Sequence, residues 1–260
     1  MDDKKYRISI CIIARPGEDI SRCLKSLERQ TYPYSEIVVH REIGRFPDLR
    51  NKVIDKAKEE IIVFIDGDCY AEKHWLEEVN KTFQTKSIVG FYGKVCYDLN
   101  GHMPTISTRL VNTNGQELLT ANAGFRSDII KRVRFDESIN YYEDLIIMKR
   151  MQKEGTVKYV DDAIVFHTYK ESSFKGTIKE ARKITDLLAA NKKYGVPVNK
   201  LGPIVNPQQY LVLLFPPVLF LFHSIRSFKD LRIAFATYFE KVYSRFLIWK
   251  FAFNNRTFLL

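Results

Sequence analysis

Two carboxylates, Asp66 and Asp68, stand at the end of the apolar run Ile61-Ile-Val-Phe-Ile65, with Gly67 between them. Acids that close repel each other unless a cation or hydrogen-bond donors balance them, and their hard oxygens suit Mg2+ or Mn2+. The five residues before them are rich in β-branched types and show no polar alternation. They read as a strand covered on both faces, in the middle of a largely parallel sheet. Open α/β sheets bind ligands outside the carboxyl ends of their strands, so this pair is expected at the mouth of a crevice, where a glycine lets a ligand approach closely. The chemistry this points to is a cation holding a diphosphate. The plainer reading of the same residues is a polar turn capping the next helix.

The elements that would carry this pair can be followed along the chain. Ile8, Ile10, Cys11, Ile12 and Ile13 make a buried first strand, broken by Arg15-Pro16-Gly17. Ile20, Leu24 and Leu27 then recur at helical spacing, residues 36–40 form a second short strand, and Leu49, Val53, Ile54 and Ala57 a second helix. The strand at Ile61 thus completes two βαβ units. Trp75, Val79 and Phe83 mark a third helix, followed by a strand at 87–95, a turn-rich stretch from Tyr97 to Thr120, a charged helix start at Ser127, and two closing strands at 157–160 and 163–167.

The 260 residues, 45% hydrophobic, suffice for one substantial α/β domain with an appendage. The formal net charge of +10 favours a polyanionic partner such as a nucleotide diphosphate or a phospholipid surface. No nucleic-acid partner is expected, because no recognised binding module accompanies the charge. Cys11, Cys23, Cys69 and Cys96 form no CxxC pair, which fits reduced thiols, and the charged start lacks the apolar stretch of a signal peptide. The body of the protein is expected inside the cell.

After a stretch at 191–207 with three prolines and two glycines, the composition changes. Residues 210–222 are almost wholly apolar around Pro216-Pro217, and no Lys, Arg, Asp or Glu occurs from Leu201 to Ile225. Phe228, Leu231, Phe235, Tyr238, Val242, Phe246, Trp249 and Phe253 follow at spacings of 3 and 4, beside Arg226, Lys229, Arg232, Lys241, Arg245 and Lys250. That pattern predicts a basic amphipathic helix with an aromatic face, of the kind that lies in a membrane surface. The expected organisation is a catalytic domain over 1–190, a linker over 191–207, and a tail over 208–260 at the cytoplasmic face of the membrane.

The ordered series of motifs resembles a family 2 glycosyltransferase of GT-A fold. It comprises Ile8 to Ile13, Leu24 to Pro33, Glu36 to Val39, Leu49-Arg50-Asn51, Ile61 to Asp68, Trp75 to Glu77, Asn122 to Arg126, Glu143-Asp144 and Tyr159 to His167. The resemblance covers residues 7–170 and implies an inverting transferase that uses a nucleotide-sugar donor, a divalent cation (Mn2+ or Mg2+), and a lipid-linked or glycan acceptor. By it, Asp68 would ligate the cation with help from Asp66 and His167, and Asp66 and Gly67 would lie against the donor. Asp144 would be the general base, with Glu143 supporting it. Ala14, Arg15, Glu42, Arg50 and Asn51 would line the donor site, and Gly124 and Arg126 the acceptor side.

Two departures affect the pocket for the base. Ala14-Arg15-Pro16-Gly17 replaces the usual Pro-Thr-Tyr-Asn, and His40-Arg41-Glu42 stands where an Asp-Asp or Asp-Asn pair is common. Two alternatives follow from the residues. One is a haloacid-dehalogenase-type phosphatase, which also has Asp-x-Asp after a buried strand, though near the start of its domain. The other is a membrane scaffold that binds nucleotide-sugar without turning it over.

Overall fold

The computed structural model describes residues 4–99, 118–168, 174–196 and 228–255. They fall into two compact units, one made of 1–100 and 111–169, the other of 101–110 and 170–260. The first unit therefore ends before the boundary expected at 190.

The first unit is built on one seven-stranded sheet of order β2-β1-β3-β6-β5-β7-β4. Its strands are β1 (Ile8–Ala14), β2 (Glu36–Arg41), β3 (Ile61–Asp66), β4 (Cys69–Ala71), β5 (Ile88–Asp98), β6 (Ala123–Arg126) and β7 (Thr156–Thr168). β1 lies between β2 and β3 and is parallel to both, with Ala14 opposite Arg41 and Ile13 opposite Asp66. This register brings three strand ends side by side. β6 is antiparallel to β3 and β5, and β4 is antiparallel to β7, so the sheet is mixed rather than uniformly parallel. Sequence reading missed β6 and β4, of four and three residues, because pieces that short carry no period to detect.

Both sheet faces are covered, which is why the strands read as continuous apolar runs. Ile8, Ile10, Ile12, Ile61, Val63 and Ile65 point to one side, against Cys23 and Leu27 of α1 (Ser21–Glu28) and Trp75, Val79 and Phe83 of α3 (Trp75–Phe83). Cys11, Ile62 and Phe64 point to the other. There they meet Val53 and Ile54 of α2 (Phe46–Lys56), Ile130 of α4 (Ser127–Val133) and Ile147 and Met151 of α5 (Glu143–Met151).

The two closing strands expected at 157–160 and 163–167 are one strand, β7, with a shift of register against β5 between Gly93 and Lys94. Asn122 fills that irregularity. Its side-chain amide donates to the carbonyls of Lys94 (2.9 Å) and Ala163 (2.7 Å), and its oxygen accepts the Trp75 indole N–H at 2.8 Å. A Cβ on Gly93 would strike Ala163 O and the Asn122 amide, so only glycine fits there.

The second unit contains α6 (Phe174–Glu180), α7 (Lys183–Tyr194) and α8 (Phe228–Asn255). α7 runs through Asn191, into the stretch expected to be linker, and stops at Gly195, whose φ of 62° is a left-handed cap. The expected amphipathic helix is α8. Ile248 and its neighbours Leu247 and Phe251 pack on Ile184 and Leu188 of α7, while Phe228, Phe235, Phe239, Phe246, Trp249 and Phe253 stay exposed. No helix among the described residues is long and apolar enough to cross a membrane. The apolar run at 210–222 lies outside the described residues.

Candidate active site

The carboxyl end of β3 gathers the acids. Asp66 is its last residue and Asp68 follows Gly67, whose N–H donates to Ile13 O at 3.2 Å. The loop after β1 crosses so closely that a Cβ on Gly67 would meet Ile20 at 2.8 Å and Ala14 at 3.0 Å. Glycine is required here by that approach. Ala14 thus lies directly against the Asp66-Gly67-Asp68 turn. Arg15 is exposed beyond it, its N–H donating to Glu18 Oε2 at 2.9 Å.

β4 and β7 supply the next partner. Cys69 pairs with His167, which places His167 Nε2 3.6 Å from Asp68 Oδ1. Asp68, Cys69 and His167 form a group whose ligand atoms all lie within 4.8 Å of one another. The Cys69 thiol is pushed far up by burial and by the charges of Asp66 and Asp68, and its soft sulfur is a poor match for a hard cation. Asp68 and His167 remain as an oxygen and a nitrogen donor. That set fits Mn2+ or Mg2+ with further oxygens from a ligand.

The second acidic pair enters from the opposite flank. Glu143 and Asp144 are the first two residues of α5, introduced by Tyr142 in the left-handed region (φ 64°). Glu143 is buried, and its Oε1 accepts from Arg50 at 2.7 Å. The other arm of Arg50 donates to Thr120 Oγ1, and Thr120 Oγ1 in turn donates to Asp144 Oδ1 at 2.7 Å. Since a guanidinium can only donate, the Thr120 proton is committed to Asp144. Thr120 went unnoticed in the sequence, where it sits at the end of a turn-rich stretch with no motif of its own.

Charge balance explains the ionisation of the site. Burial raises Asp66 to about 6, with Arg50 opposing, Asp68 and Asp144 adding to the rise, and His167 opposing. Burial likewise raises Glu143 to about 7, with Asp144 adding and Arg50 opposing. Four acids thus influence one another around Arg50 and His167, an excess of negative charge that a divalent cation would offset.

Several residues named from the sequence sit elsewhere. Arg126 is opposite Ile61, at the far end of β3 from Asp66, five residues or about 16 Å along the strand. Its guanidinium is spent on the carbonyls of Phe83, Thr85 and Ile88, which corrects its placement on the acceptor side. Gly124 faces Val63 and Phe91, where a Cβ would lie 2.7 and 2.6 Å from their side chains, so it is a packing glycine. Asn51 gives its amide hydrogens to Phe135 O (3.0 Å) and Glu137 Oε1 (2.8 Å) and accepts from Phe135 N–H (2.9 Å). It is a buried clamp between α2 and the loop after α4, with no hydrogen left for a donor. Arg50 is buried and reaches the carboxylates instead of solvent. Glu42 is half exposed and paired with Lys52 and, at 3.4 Å, His40.

Residues 37–151 match the family described as glycosyl transferase family 2. The structure superposes on S. aureus TarS 1–349 in complex with UDP-GlcNAc, with a TM-score of 0.52 and 14% identity, covering 96% of this chain and 92% of that one. The fold is GT-A. GalNAc-T7 with UDP, GalNAc and Mn2+ is also similar, at a TM-score of 0.51 and 12% identity over 71% of this chain and 48% of that one. The chain spans 54% of the longer TarS structure, at a TM-score of 0.51 and 14% identity over 92% of this chain. No curated protein matches it. The family match, together with the GT-A fold, supports a glycosyltransferase and leaves the phosphatase alternative without support.

Proposed function

We propose that the chain is an inverting, metal-dependent glycosyltransferase. It moves a sugar from a nucleotide-sugar donor to a hydroxyl of a lipid-linked or glycan acceptor at a membrane surface. The observation that carries this is the meeting of Asp66, Asp68 and His167 at the end of β3 with an Asp144 held through Thr120. The similarity to proteins solved with UDP-GlcNAc or with UDP and Mn2+ supports the donor class.

In this reading Asp68 and His167 would hold a divalent cation, which would supply positive charge against the negative charge that develops on the departing diphosphate. Asp66 and the backbone of Ala14 and Gly67 seat the donor beside them. Asp144 has one oxygen occupied by the Thr120 hydroxyl, and its other oxygen is the one to accept the acceptor's proton as that hydroxyl attacks the anomeric carbon. Attack from the side opposite the leaving group inverts the anomeric centre. Arg50 keeps Glu143 and Thr120 in place.

Calorimetric titration of UDP and GDP, then of their sugar conjugates, with and without Mn2+, tests the proposal. Metal-dependent binding of one nucleotide is expected, reduced about tenfold or more by Asp68→Asn, since loss even of a group that orients a metal ligand costs about 10- to 100-fold. Unchanged affinity in the variant would remove Asp68 from the site. Binding of a nucleotide-sugar with no turnover would favour the scaffold alternative, for which the engagement of Glu42 by Lys52 and His40 is the supporting feature, and absence of any nucleotide binding would overturn both readings.

The membrane part rests on α8. Its exposed aromatic side chains recur along 28 residues, about 42 Å of helix, beside the exposed Arg232, Lys241 and Lys250. Truncation after Asn199 is expected to abolish co-sedimentation with anionic liposomes. Persistent binding of the shortened chain would place membrane affinity in the catalytic unit.

A further inference from the structure

Between α1 and the edge strand β4 lies a groove of about 350 Å3, lined by Ser21, Arg22, Lys25, Ser26, Arg29 and Tyr70. Its walls are fixed. Tyr70 stacks on Phe166 with ring centroids 5.0 Å apart at 14°, and its hydroxyl donates to Asp98 at 3.0 Å. Arg22 lies over the Tyr70 ring, 3.8 Å from its centroid, and pairs with the same Asp98 at 2.8 Å. Phe166 and Arg22 cannot share one ring face at those distances, so both faces are taken and none is left for stacking a sugar. Ser26 accepts the Ala71 N–H at 3.0 Å and donates to Cys23 O at 2.6 Å, which pins the helix to the strand.

Against these fixed groups, Lys25 and Arg29 are exposed and make no hydrogen bond or ion pair among the described residues. Arg22 and Lys25, at i and i+3, share one face of α1, and Arg29, at i+7, follows that face as the residue capping the helix. Asp98 pairs with Arg22 and Asp19 feels the charge of Lys25, so three cations against two carboxylates leave the groove positive. A guanidinium fork beside an ammonium is the donor set that suits a phosphate group. Tyr70 stands two residues after Asp68, at most about 7 Å of backbone away. The Arg29 end of the groove lies beside Glu72 and Lys73, so a molecule held by Lys25 and Arg29 extends along β4 past Tyr70 to reach the cation ligands.

We propose that this groove binds a phosphate ester of the acceptor substrate through Lys25 and Arg29, with Arg22 held behind them. The glycosyltransferase reading above supplies only the identity of the molecule that bears the phosphate. Its source is either a phosphorylated glycan in solution or a lipid headgroup, and the test separates the two.

The full chain, in EDTA, is titrated with glycerol 3-phosphate and, separately, with phosphatidylglycerol and phosphatidylcholine vesicles, as wild type and as the double variant K25A/R29A. Loss of glycerol 3-phosphate affinity by about tenfold or more in the variant supports the site for soluble phosphate esters, as expected when two charge-assisted donors are removed. A tenfold loss confined to phosphatidylglycerol vesicles supports it for a headgroup. Equal binding by wild type and variant to both probes, or no wild-type binding to either, overturns the proposal. The same variant is titrated with UDP and Mn2+. Affinity within about twofold of wild type is expected, and a parallel loss would make the groove part of the donor site and overturn the acceptor assignment. Failure of the wild type to bind UDP would sink the enzyme reading while leaving the phosphate result standing.

Discussion

Replacing Asp144 by Asn is expected to lower turnover by about 10²- to 10⁴-fold, the range for loss of a positioned general base, with nucleotide affinity nearly unchanged. The substitution keeps the shape and one acceptor oxygen, so the hydrogen bond from Thr120 Oγ1, 2.7 Å in length, survives. What disappears is the ability to take a proton. Comparison with Thr120→Val separates basicity from positioning. Losing the hydroxyl frees the Asp144 carboxylate to rotate and leaves one Arg50 hydrogen unpaired, so a smaller fall in kcat with an unchanged donor Kd is expected, restored by Thr120→Ser. Steady-state rates with saturating donor check both. Near-full turnover in Asp144→Asn would move the base role to another group, with Glu143 the nearest carboxylate.

Removing Arg50 has the largest expected effect on stability. Arg50→Met leaves Glu143 buried without its ion-pair partner, which costs about 3–5 kcal/mol when the carboxylate is charged. The cost depends on pH, with a sign that follows from the shift. Burial raises Glu143 in the folded protein to about 7 from 4.5. Between those values the folded state binds more protons than the unfolded state, so stability falls as pH rises through that window, and the penalty for losing Arg50 sets in only above it, where Glu143 beside Arg50 is charged. Asp66, raised to about 6 from 3.8, acts in the same direction. Chemical denaturation of Arg50→Met is therefore expected to show little destabilisation at pH 5, where Glu143 is protonated in both proteins, and a loss of about 1.4 kcal/mol from this group at pH 8 that grows with further rise in pH. Equal losses at the two pH values would mean that Glu143 is not what Arg50 neutralises.

The strands around the acids were legible because burial on both faces writes itself into the sequence as uninterrupted apolar residues. Ile8 to Ile13 and Ile61 to Ile65 have no other use for that composition. Helices α1, α2 and α3 showed their apolar spacing for the same reason, since each buries one stripe on the sheet. The amphipathic pattern of the tail likewise announced α8.

The acids themselves, Asp66, Asp68 and Glu143-Asp144, were visible as residue types at telling positions, and so was His167. Their grouping was not. Asp68 and His167 are brought together only by antiparallel pairing of β4 with β7, across 99 residues, and β4 is too short to show a period. The same holds for Arg50, which the resemblance placed in the donor site. It reaches Glu143, 93 residues away, because α2 and α5 pack on one face of the sheet. Thr120 was invisible, since a hydroxyl gains its role only from the guanidinium that donates to it and the carboxylate that receives from it. Arg126 and Asn51 erred the other way. Their side chains suit ligand binding, but strand register and the Phe135 loop committed their hydrogen bonds within the fold. Sequence by itself determined which segments are buried and which chemistries are present, because burial and side-chain type are local properties. Only the tertiary structure decided which groups share a proton or a charge, because those interactions depend on distances that sheet order and helix packing set.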